Sequence, residues 1–275
     1  MVSGRYAELL AWLRSLEGAV VAFSGGVDST LLAHAAQEAL GARALAVTAR
    51  SASFARQEHQ AARDLAERIG IRHRFVATSE LDDPHYRSNP PDRCYHCKRI
   101  LFRELLRVAA EEGLPVVIEG SNRDDQADYR PGRRALRELG IRSPFAELGW
   151  TKAEIRTRSR MLELPTWEKP AAACLASRVP YGEEITAERL ARIDRAEELV
   201  RAVGVAQVRV RDHGPVARIE VPAEMIPRLT ESETRQRLVA ELRALGYRYV
   251  ALDMEGYRTG ALNEMLGDAE REANA

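Results

Sequence analysis

Cysteine, lysine and long apolar segments are all scarce in this chain of 275 residues. Its three cysteines are an odd number, so they cannot form a complete disulfide framework, and they are better interpreted as thiols, metal ligands or nucleophiles. No segment approaches the roughly 18–20 apolar residues that cross a bilayer. The N-terminus also lacks the basic and apolar blocks of a signal peptide. We therefore expect a cytoplasmic protein without a membrane partner.

The chain has no excess charge of either sign, since 41 Lys and Arg residues balance 41 Asp and Glu residues. Nucleic-acid-binding proteins usually carry a basic excess, so we expect no nucleic-acid partner. Lys98, Lys152 and Lys169 are the only lysines, and the other 38 of the 41 basic residues are arginines. Composition bias is the ordinary explanation, but it makes each remaining lysine worth inspecting.

Short apolar segments alternate with helical patterns through the first half of the chain. This alternation is typical of an α/β domain with a parallel sheet. Residues 80–93 are predicted to be a loop, and no element is predicted between residues 126 and 150. The predicted strands cover 19–23, 42–48, 71–77 and 115–119, and the predicted helices cover 5–17, 28–40, 54–69, 94–112 and 151–163.

The pattern changes after a segment rich in proline, residues 165–182. A helix from Thr186 to about Val203 is followed by alternating strands around His213-Gly-Pro215, which predict an antiparallel hairpin. A helix and a strand then complete a smaller α+β domain. At about 150 residues per domain the length fits two domains, which we place at residues 1–168 and 169–275.

The most informative local motif is Ser24-Gly-Gly-Val-Asp-Ser-Thr30, which lies between a predicted strand and a helix. Gly25 and Gly26 allow the backbone to approach a ligand, and the N–H groups at a helix start bind anions. Hydroxyl groups at 24, 29 and 30 can donate to phosphate oxygens. Asp28 fits such a site only with a cation such as Mg²⁺. The motif matches neither the lysine-containing Walker A loop nor G-x-G-x-x-G, so it predicts a different phosphate loop.

This loop resembles the pyrophosphate loop of the N-type ATP pyrophosphatases. The resemblance continues in Glu119-Gly-Ser-Asn-Arg-Asp-Asp125 and in the segment from Arg142 to Arg156. It implies an ATP-binding domain of the adenine-nucleotide alpha hydrolase type. Enzymes of this group cleave ATP between the α and β phosphates and adenylate an oxygen of their substrate.

The cysteines allow three interpretations. Cys94 and Cys97 form a C-x-x-C motif, and Cys174 stands alone. A structural zinc site needs four ligands, and His96 would have to supply the fourth from an awkward position between the two cysteines. A redox dithiol, or inert thiols, would leave Cys174 without a role. An iron–sulfur cluster held by three thiolates would leave one iron open to an exogenous sulfur.

An ordered set of segments along nearly the whole chain points to one family. The chain resembles the ATP-dependent sulfur transferases that act on pyridinium-3,5-biscarboxylic acid mononucleotide in the synthesis of the nickel-pincer cofactor. The segments that carry the resemblance are 23–30, 125–132, 174–182, 208–211, 217–220 and 252–258.

The resemblance implies a role for particular residues. Cys174 matches the sulfur-donating cysteine, and Lys98 matches a lysine near the nucleotide. Because Cys94 and Cys97 are also present, the chain resembles the branch in which these three cysteines hold a 4Fe–4S cluster. The positions that match the substrate site are Ser177, Arg178, Glu197, Arg209, Arg211, Glu220 and Arg258.

The function expected from the sequence is ATP-dependent sulfur transfer to a small mononucleotide. The first domain would bind ATP and Mg²⁺, with Asp28 as a metal ligand, and the sulfur would come from a cluster-bound sulfide or from Cys174. Ser177 and Arg178 would assist at Cys174, and arginines would bind the carboxylate and phosphate of the substrate. We also expect a homo-oligomer and allow for a separate sulfur donor as a partner. The alternatives are an iron–sulfur tRNA thiolase, whose usual zinc-ribbon cysteines are lacking here, and a non-catalytic nucleotide-binding metal sensor.

Overall fold

The structure is a computed structural model that describes residues 2–126, 131–170 and 173–258. The chain divides into two compact units. The first contains the described residues up to 80 and those from 92 to 170, and the second contains 81–91 and 173–258. Residues 81–91, which the sequence placed in the first domain, thus belong to the second unit.

The helices and strands follow one another in an order close to the expected one. The strands are β1 Ala19–Ala22, β2 Ala44–Arg50, β3 Arg72–Ala77, β4 Val116–Ile118, β5 Arg209–His213, β6 Val216–Glu220 and β7 Tyr249–Leu252. The helices are α1 Val2–Arg14, α2 Val27–Leu40, α3 Arg56–Ile69, α4 Pro84–Arg87, α5 Arg93–Glu111, α6 Gly132–Glu138, α7 Pro144–Glu147, α8 Lys152–Met161, α9 Ala187–Arg201, α10 Ile226–Thr230 and α11 Ser232–Ala244. Within these described residues, no helix has the length and apolar character needed to cross a bilayer.

The first unit is built on a parallel four-stranded sheet in the order β3-β2-β1-β4. Val20 of β1 pairs with Leu45 on one side and Val117 on the other. The chain therefore winds in one direction from β1 to β3 and in the other to β4. In open α/β sheets, ligands bind at the carboxyl ends of the strands where the winding reverses. The phosphate loop, which directly follows β1, lies at this point, and the predicted α/β class is confirmed.

Alternating strand residues divide the core of the first unit between the two faces of the sheet. Val21 belongs to the cluster that includes α1 and α2, whereas Val20 belongs to the cluster that includes α5. Both valines are fully buried. Burial of a side chain of this size contributes about 1.5–3 kcal/mol, so this short strand anchors both layers of helices. The start of the phosphate loop is consequently held in a fixed position.

The second unit has a mixed sheet of three strands in the order β5-β6-β7. β5 and β6 are antiparallel, as the hairpin pattern predicted, and β7 joins β6 in parallel. Asp212, at the end of β5, is fully buried and accepts hydrogen bonds from Arg189, Arg192 and Tyr247. This network fixes the hairpin against α9, and the predicted smaller α+β unit is confirmed.

We expect Gly120→Ala to lower stability, because the added methyl has no free space. It would lie 3.1 Å from Asp28 Cβ and 3.2 Å from the backbone nitrogen of Ser29. Overpacking of this kind costs about 1–3 kcal/mol. The thermal midpoint should fall below that of wild type, whereas Gly4→Ala in α1, where no atom lies within 4 Å of the added methyl, should not lower it. A wild-type midpoint in Gly120→Ala would contradict this close approach of the loop after β4 to α2.

The His73 imidazole in β3 makes the first unit sensitive to acid. Thr48 Oγ1 donates to the Phe23 carbonyl at 2.7 Å and lies 2.8 Å from His73 Nε2, so the neutral ring donates from Nε2. Burial, reinforced by Arg63 and Arg50, lowers the pKa of His73 to about 4. The neutral ring is thus favoured in the fold at pH values where the free side chain, with a pKa of about 6.5, takes up a proton.

Because the pKa of His73 is lower in the folded chain, the free energy of unfolding should fall as pH drops from about 6.5 to about 4. His73→Gln should make the thermal midpoint less dependent on pH in this window. The matched control is His85→Gln, which removes an exposed imidazole from α4. The same pH dependence in wild type and His73→Gln would show that His73 does not contribute.

Candidate functional site

The phosphate loop combines a left-handed glycine with the start of α2. Gly25 has a φ of +68°, which glycine adopts without strain. Gly26 precedes α2 as its N-cap residue in an extended conformation. The free N–H groups of the first turn of a helix attract anions, and the helix dipole adds to this effect. The loop therefore has the backbone of an anion-binding site.

The hydroxyl groups of the loop do not all act together. Ser24 Oγ and Ser29 Oγ lie 3.0 Å apart, and Ser29 Oγ donates to the Gly26 carbonyl at 3.2 Å. Thr30 is fully buried, and its hydroxyl has no hydrogen-bond partner within the described part of the chain. It lines a separate cavity of about 190 Å³ with His34 and other residues of the first unit. The structure thus groups two of the three predicted hydroxyls.

Asp28 presents one free oxygen beside the loop. Its Oδ2 pairs with Lys152 Nζ of α8, and its Oδ1 is buried without a hydrogen-bond partner among the described residues. The backbone nitrogen of Lys152 donates to Asp124 Oδ2 at 2.8 Å, which joins α8 to the loop after β4. An unpartnered carboxylate oxygen is a hard ligand that suits Mg²⁺. The residues present therefore fit the divalent cation expected from the sequence.

Lys169, near the C-terminal end of the first unit, also contacts the loop. Lys169 Nζ donates to the Gly25 carbonyl at 3.1 Å and pairs with Glu58 Oε2 of α3 at 2.6 Å. Sequence reasoning did not assign Lys152 or Lys169 to the site, although the scarcity of lysine had marked both. Lys98, which was assigned, lies in α5 with its ammonium 5.2 Å from the centre of the Phe102 ring.

The loop after β4 is shaped by its own acidic residues. Glu119 Oε2 accepts from Ser121 Oγ at 2.8 Å. Asp125 Oδ2 accepts from the backbone nitrogen of Asn122 at 2.9 Å, and Asn122 Oδ1 accepts from that of Asp124 at 3.0 Å. These contacts hold the turn beside α2, so its carboxylates are largely engaged in maintaining the shape of the site.

Cys94 and Cys97 lie one turn apart near the start of α5. Cys94 is exposed, and Cys97 is half-buried with its Sγ 4.0 Å from Glu80 Oε1. Side chains three residues apart on a helix are neighbours, so the two thiols can serve one metal group. Cys174 belongs to the second unit. Among the described residues, no three His, Cys, Asp or Glu side chains are already gathered as a metal centre.

In the second unit, the backbone at Cys174 is held by several donors. The Cys174 carbonyl accepts from Ser177 N at 3.0 Å, Ser177 Oγ at 2.8 Å and Arg178 Nη1 at 2.8 Å. Cys174 precedes the short 3₁₀ turn Leu175–Arg178 and is half-buried. These contacts restrain the backbone of Cys174, and the residue itself stays partly exposed.

The guanidinium of Arg178 is fixed by a buried carboxylate. Its Nε and Nη2 donate to the two oxygens of Glu197 at 2.7 and 3.1 Å, and only 2% of Arg178 is exposed. Arg201 adds a contact to Glu197 Oε2 at 2.6 Å. Burial raises the pKa of Glu197, but Arg178 and the neighbouring arginines outweigh this effect and the net shift is downward. Glu197 is therefore a buried anion that positions Arg178.

A second pair repeats this arrangement beside it. Arg211 donates to both oxygens of Glu220, at 2.9 and 2.7 Å, and its Nη1 donates to the Ser177 carbonyl at 2.7 Å. Burial and then nearby Arg178 lower the pKa of Arg209, which is also largely buried. Arg258 instead pairs with Glu255 at 2.8 Å.

The structure therefore brings most of the predicted substrate residues into one network around Cys174. The guanidinium groups of Arg178 and Arg211 already make bidentate contacts with Glu197 and Glu220. These two arginines are better suited to positioning the Cys174 segment than to the bidentate substrate binding expected from the sequence.

Comparison with known proteins gives one family model and several relatives. The family model of NAD synthase matches residues 12–87, which contain the phosphate loop. The chain is 46% identical over 266 residues to the uncharacterized protein slr1717 of Synechocystis sp., covering 97% of this chain and 99% of the relative. A shorter match of 121 residues, 36% identical, joins 37% of the chain to 30% of a tRNA-specific 2-thiouridylase MnmA of Caulobacter sp..

A further relative covers nearly the whole of both chains. The pyridinium-3,5-bisthiocarboxylic acid mononucleotide synthase of Lactiplantibacillus plantarum is 37% identical over 265 residues, which are 96% of this chain and 95% of the relative. The resemblance inferred from the ordered motifs is thereby confirmed. The chain belongs to the family of the pyridinium-3,5-bisthiocarboxylic acid mononucleotide synthases.

Proposed function

We propose that the chain is an ATP-dependent sulfur transferase that converts a carboxylate of a pyridinium mononucleotide into a thiocarboxylate. The observation that carries this proposal is the pairing of a phosphate loop in one unit with a restrained, accessible Cys174 in the other. The name of the Lactiplantibacillus relative supports the choice of substrate class.

The first unit would activate the carboxylate. A carboxylate oxygen attacks the α phosphorus of ATP, the bond between the α phosphorus and the bridging oxygen breaks, and pyrophosphate leaves. The product is a mixed anhydride with AMP. The backbone of Gly25 and Gly26, with the Ser24 and Ser29 hydroxyls, would bind the departing pyrophosphate. Bound Mg²⁺ would neutralise phosphate charge.

Asp28 and Lys152 would balance the charge at this step. Lys152 holds one oxygen of Asp28, which leaves the buried Oδ1 as the oxygen that can bind the metal. Lys152 also brings a positive charge to a loop that contains no basic residue. The pair thus joins a metal ligand and a phosphate-facing cation at the start of α2.

The second unit would supply the sulfur step. In the sacrificial version, the Cys174 thiolate attacks the acyl carbon, AMP leaves, and a thioester forms. Loss of the Cα proton of Cys174 and cleavage of its Cβ–S bond then release the thiocarboxylate and leave dehydroalanine. The donors from Ser177 and Arg178 to the Cys174 carbonyl would hold the residue during the attack.

In the cluster version, Cys94, Cys97 and Cys174 would hold a 4Fe–4S cluster. Cys94 and Cys97 fit two corners because they lie one turn apart, and Cys174 would contribute from the second unit. When bound, the cluster would supply an extra sulfide, beyond its own four, as the sulfur nucleophile. Cys174 would then remain intact, so one chain could act repeatedly when a separate sulfur donor replaces the sulfide that each turnover consumes.

A tRNA thiolase is the competing function favoured by a specific observation, the local similarity to MnmA. The similarity covers 37% of the chain for this MnmA and 62% for a second MnmA that is 28% identical, whereas the mononucleotide synthase covers 96% at 37% identity. The neutral charge of the chain also argues against a large RNA interface. Binding of tRNA at physiological salt in a gel-shift assay, together with tRNA-dependent AMP formation, would favour the thiolase instead.

Asp28→Asn should lower the rate of AMP formation by about 10²–10³-fold, because the site loses a metal ligand and the partner of Lys152. Lys152→Met should raise the KM for ATP about tenfold. Both are measured as AMP release in the presence of the mononucleotide. The matched control, Asp64→Asn, removes an exposed carboxylate of α3 and should behave as wild type. Wild-type rates in Asp28→Asn would contradict the assigned role.

Cys174→Ser should end sulfur transfer but leave AMP formation, since carboxylate activation uses the first unit. Wild type purified without oxygen should hold about four iron and four sulfide per chain, and Cys94→Ser or Cys97→Ser should lose most of it. Iron and sulfide analysis, product counting and mass spectrometry measure these outcomes. A chain without iron whose Cys174 loses the elements of H₂S would identify the sacrificial version. Full transfer by Cys174→Ala would contradict both versions.

A further inference from the structure

Lys169 makes a contact that neither ATP binding nor sulfur donation explains by itself. Its ammonium bridges the Gly25 carbonyl, at 3.1 Å, and Glu58 Oε2, at 2.6 Å. About a quarter of the Lys169 side chain and a third of that of Glu58 are exposed. The contact therefore joins three separate parts of the first unit: the phosphate loop, α3 and the segment after α8.

This contact fixes the peptide group between the two glycines. In a planar trans peptide, the N–H of Gly26 points away from the carbonyl of Gly25. The bond from Lys169 to that carbonyl therefore directs the Gly26 N–H away from Lys169 and into the loop, where Ser24 Oγ lies 3.4 Å away. Glycines on both sides allow this peptide to rotate easily, so an external restraint determines its orientation.

The segment that carries Lys169 is restrained from its other side as well. Arg156 of α8 donates to the Trp167 carbonyl and, at 3.0 Å, to the Lys169 carbonyl. Lys169 thus holds the loop with its side chain while α8 holds its backbone.

We propose that Lys169 is a positioning residue that presets the Gly25–Gly26 peptide for phosphate. The inference deepens the proposed function and rests on it. The ammonium keeps the Gly26 N–H directed into the loop before ATP arrives, so the anion site needs less reorganisation on binding.

The test compares Lys169→Met, Glu58→Gln and Lys169→Arg with a matched control, Arg68→Met. Arg68 also ties α3 to the chain after α8, through the Glu163 carbonyl at 3.3 Å, and within the described part of the chain it makes no hydrogen bond to Gly25 or Gly26. Two quantities are measured on the full chain. They are the Kd for ATP and amide hydrogen exchange at residues 24–27 without nucleotide.

Lys169→Met should raise the Kd for ATP about tenfold and speed amide exchange at residues 24–27. Lys169→Arg should recover most of each property because it keeps the charge and the donors, and Glu58→Gln should give intermediate values. Arg68→Met should match the parent chain, and all variants should keep the parent's thermal midpoint within about 3 °C.

Two outcomes overturn the inference while leaving the proposed function in place. One is a Lys169→Met chain with the parent's Kd for ATP and the parent's exchange at residues 24–27. The other is an equal loss in Arg68→Met, which would show a general structural effect. Failure of the proposed function is distinct, because the parent chain itself would then bind no ATP and form no AMP.

Discussion

The site depends on one electrostatic constraint: its phosphate loop contains no basic residue of its own. The backbone of Gly25 and Gly26 and the first turn of α2 provide N–H groups, but a polyphosphate also needs full positive charges. Lys152 and Lys169 bring such charges beside the loop from segments distant in sequence, and each is already paired with a carboxylate. The charge around the loop is thereby tied to the correct assembly of α3, α8 and the segment after α8.

A related constraint shapes the second unit. Arg178 and Arg211 are held by buried Glu197 and Glu220. Removing one partner from such a pair costs about 3–5 kcal/mol, because the other charge is left buried and uncompensated. These buried charges lie where they hold the 3₁₀ turn that follows Cys174. We interpret the network as a rigid support for Cys174, the proposed sulfur nucleophile. Substrate contacts would then come from groups that are not already paired with a protein carboxylate.

The fold followed closely from the sequence, because the period of the apolar residues is a local property. β1 and the loop after it were predictable, because a buried strand followed by Ser-Gly-Gly is typical of a phosphate-binding loop. Helix α6 was missed because it has only seven residues and follows a proline. Residues 81–91 belong to the second unit through tertiary contacts, such as that of the Asn89 carbonyl with Gly182, which the sequence pattern does not reveal.

The candidate site was predictable in its residue types and less so in its pairings. Glu197 and Arg178 were both identified by resemblance, but their ion pair joins positions 19 residues apart and depends on how α9 packs. The contacts of Lys152 with Asp28 and of Lys169 with Gly25 are equally long-range. Only the rarity of lysine hinted at them, and it could not name their partners.

The central claim is that a substrate carboxylate is activated by attack on the α phosphorus of ATP. The most direct test uses pyridinium-3,5-biscarboxylic acid mononucleotide labelled with ¹⁸O in its carboxylates. The account predicts that each turnover transfers one ¹⁸O to the phosphate of AMP, while pyrophosphate stays unlabelled. Unlabelled AMP, or the formation of ADP and labelled inorganic phosphate, would contradict it.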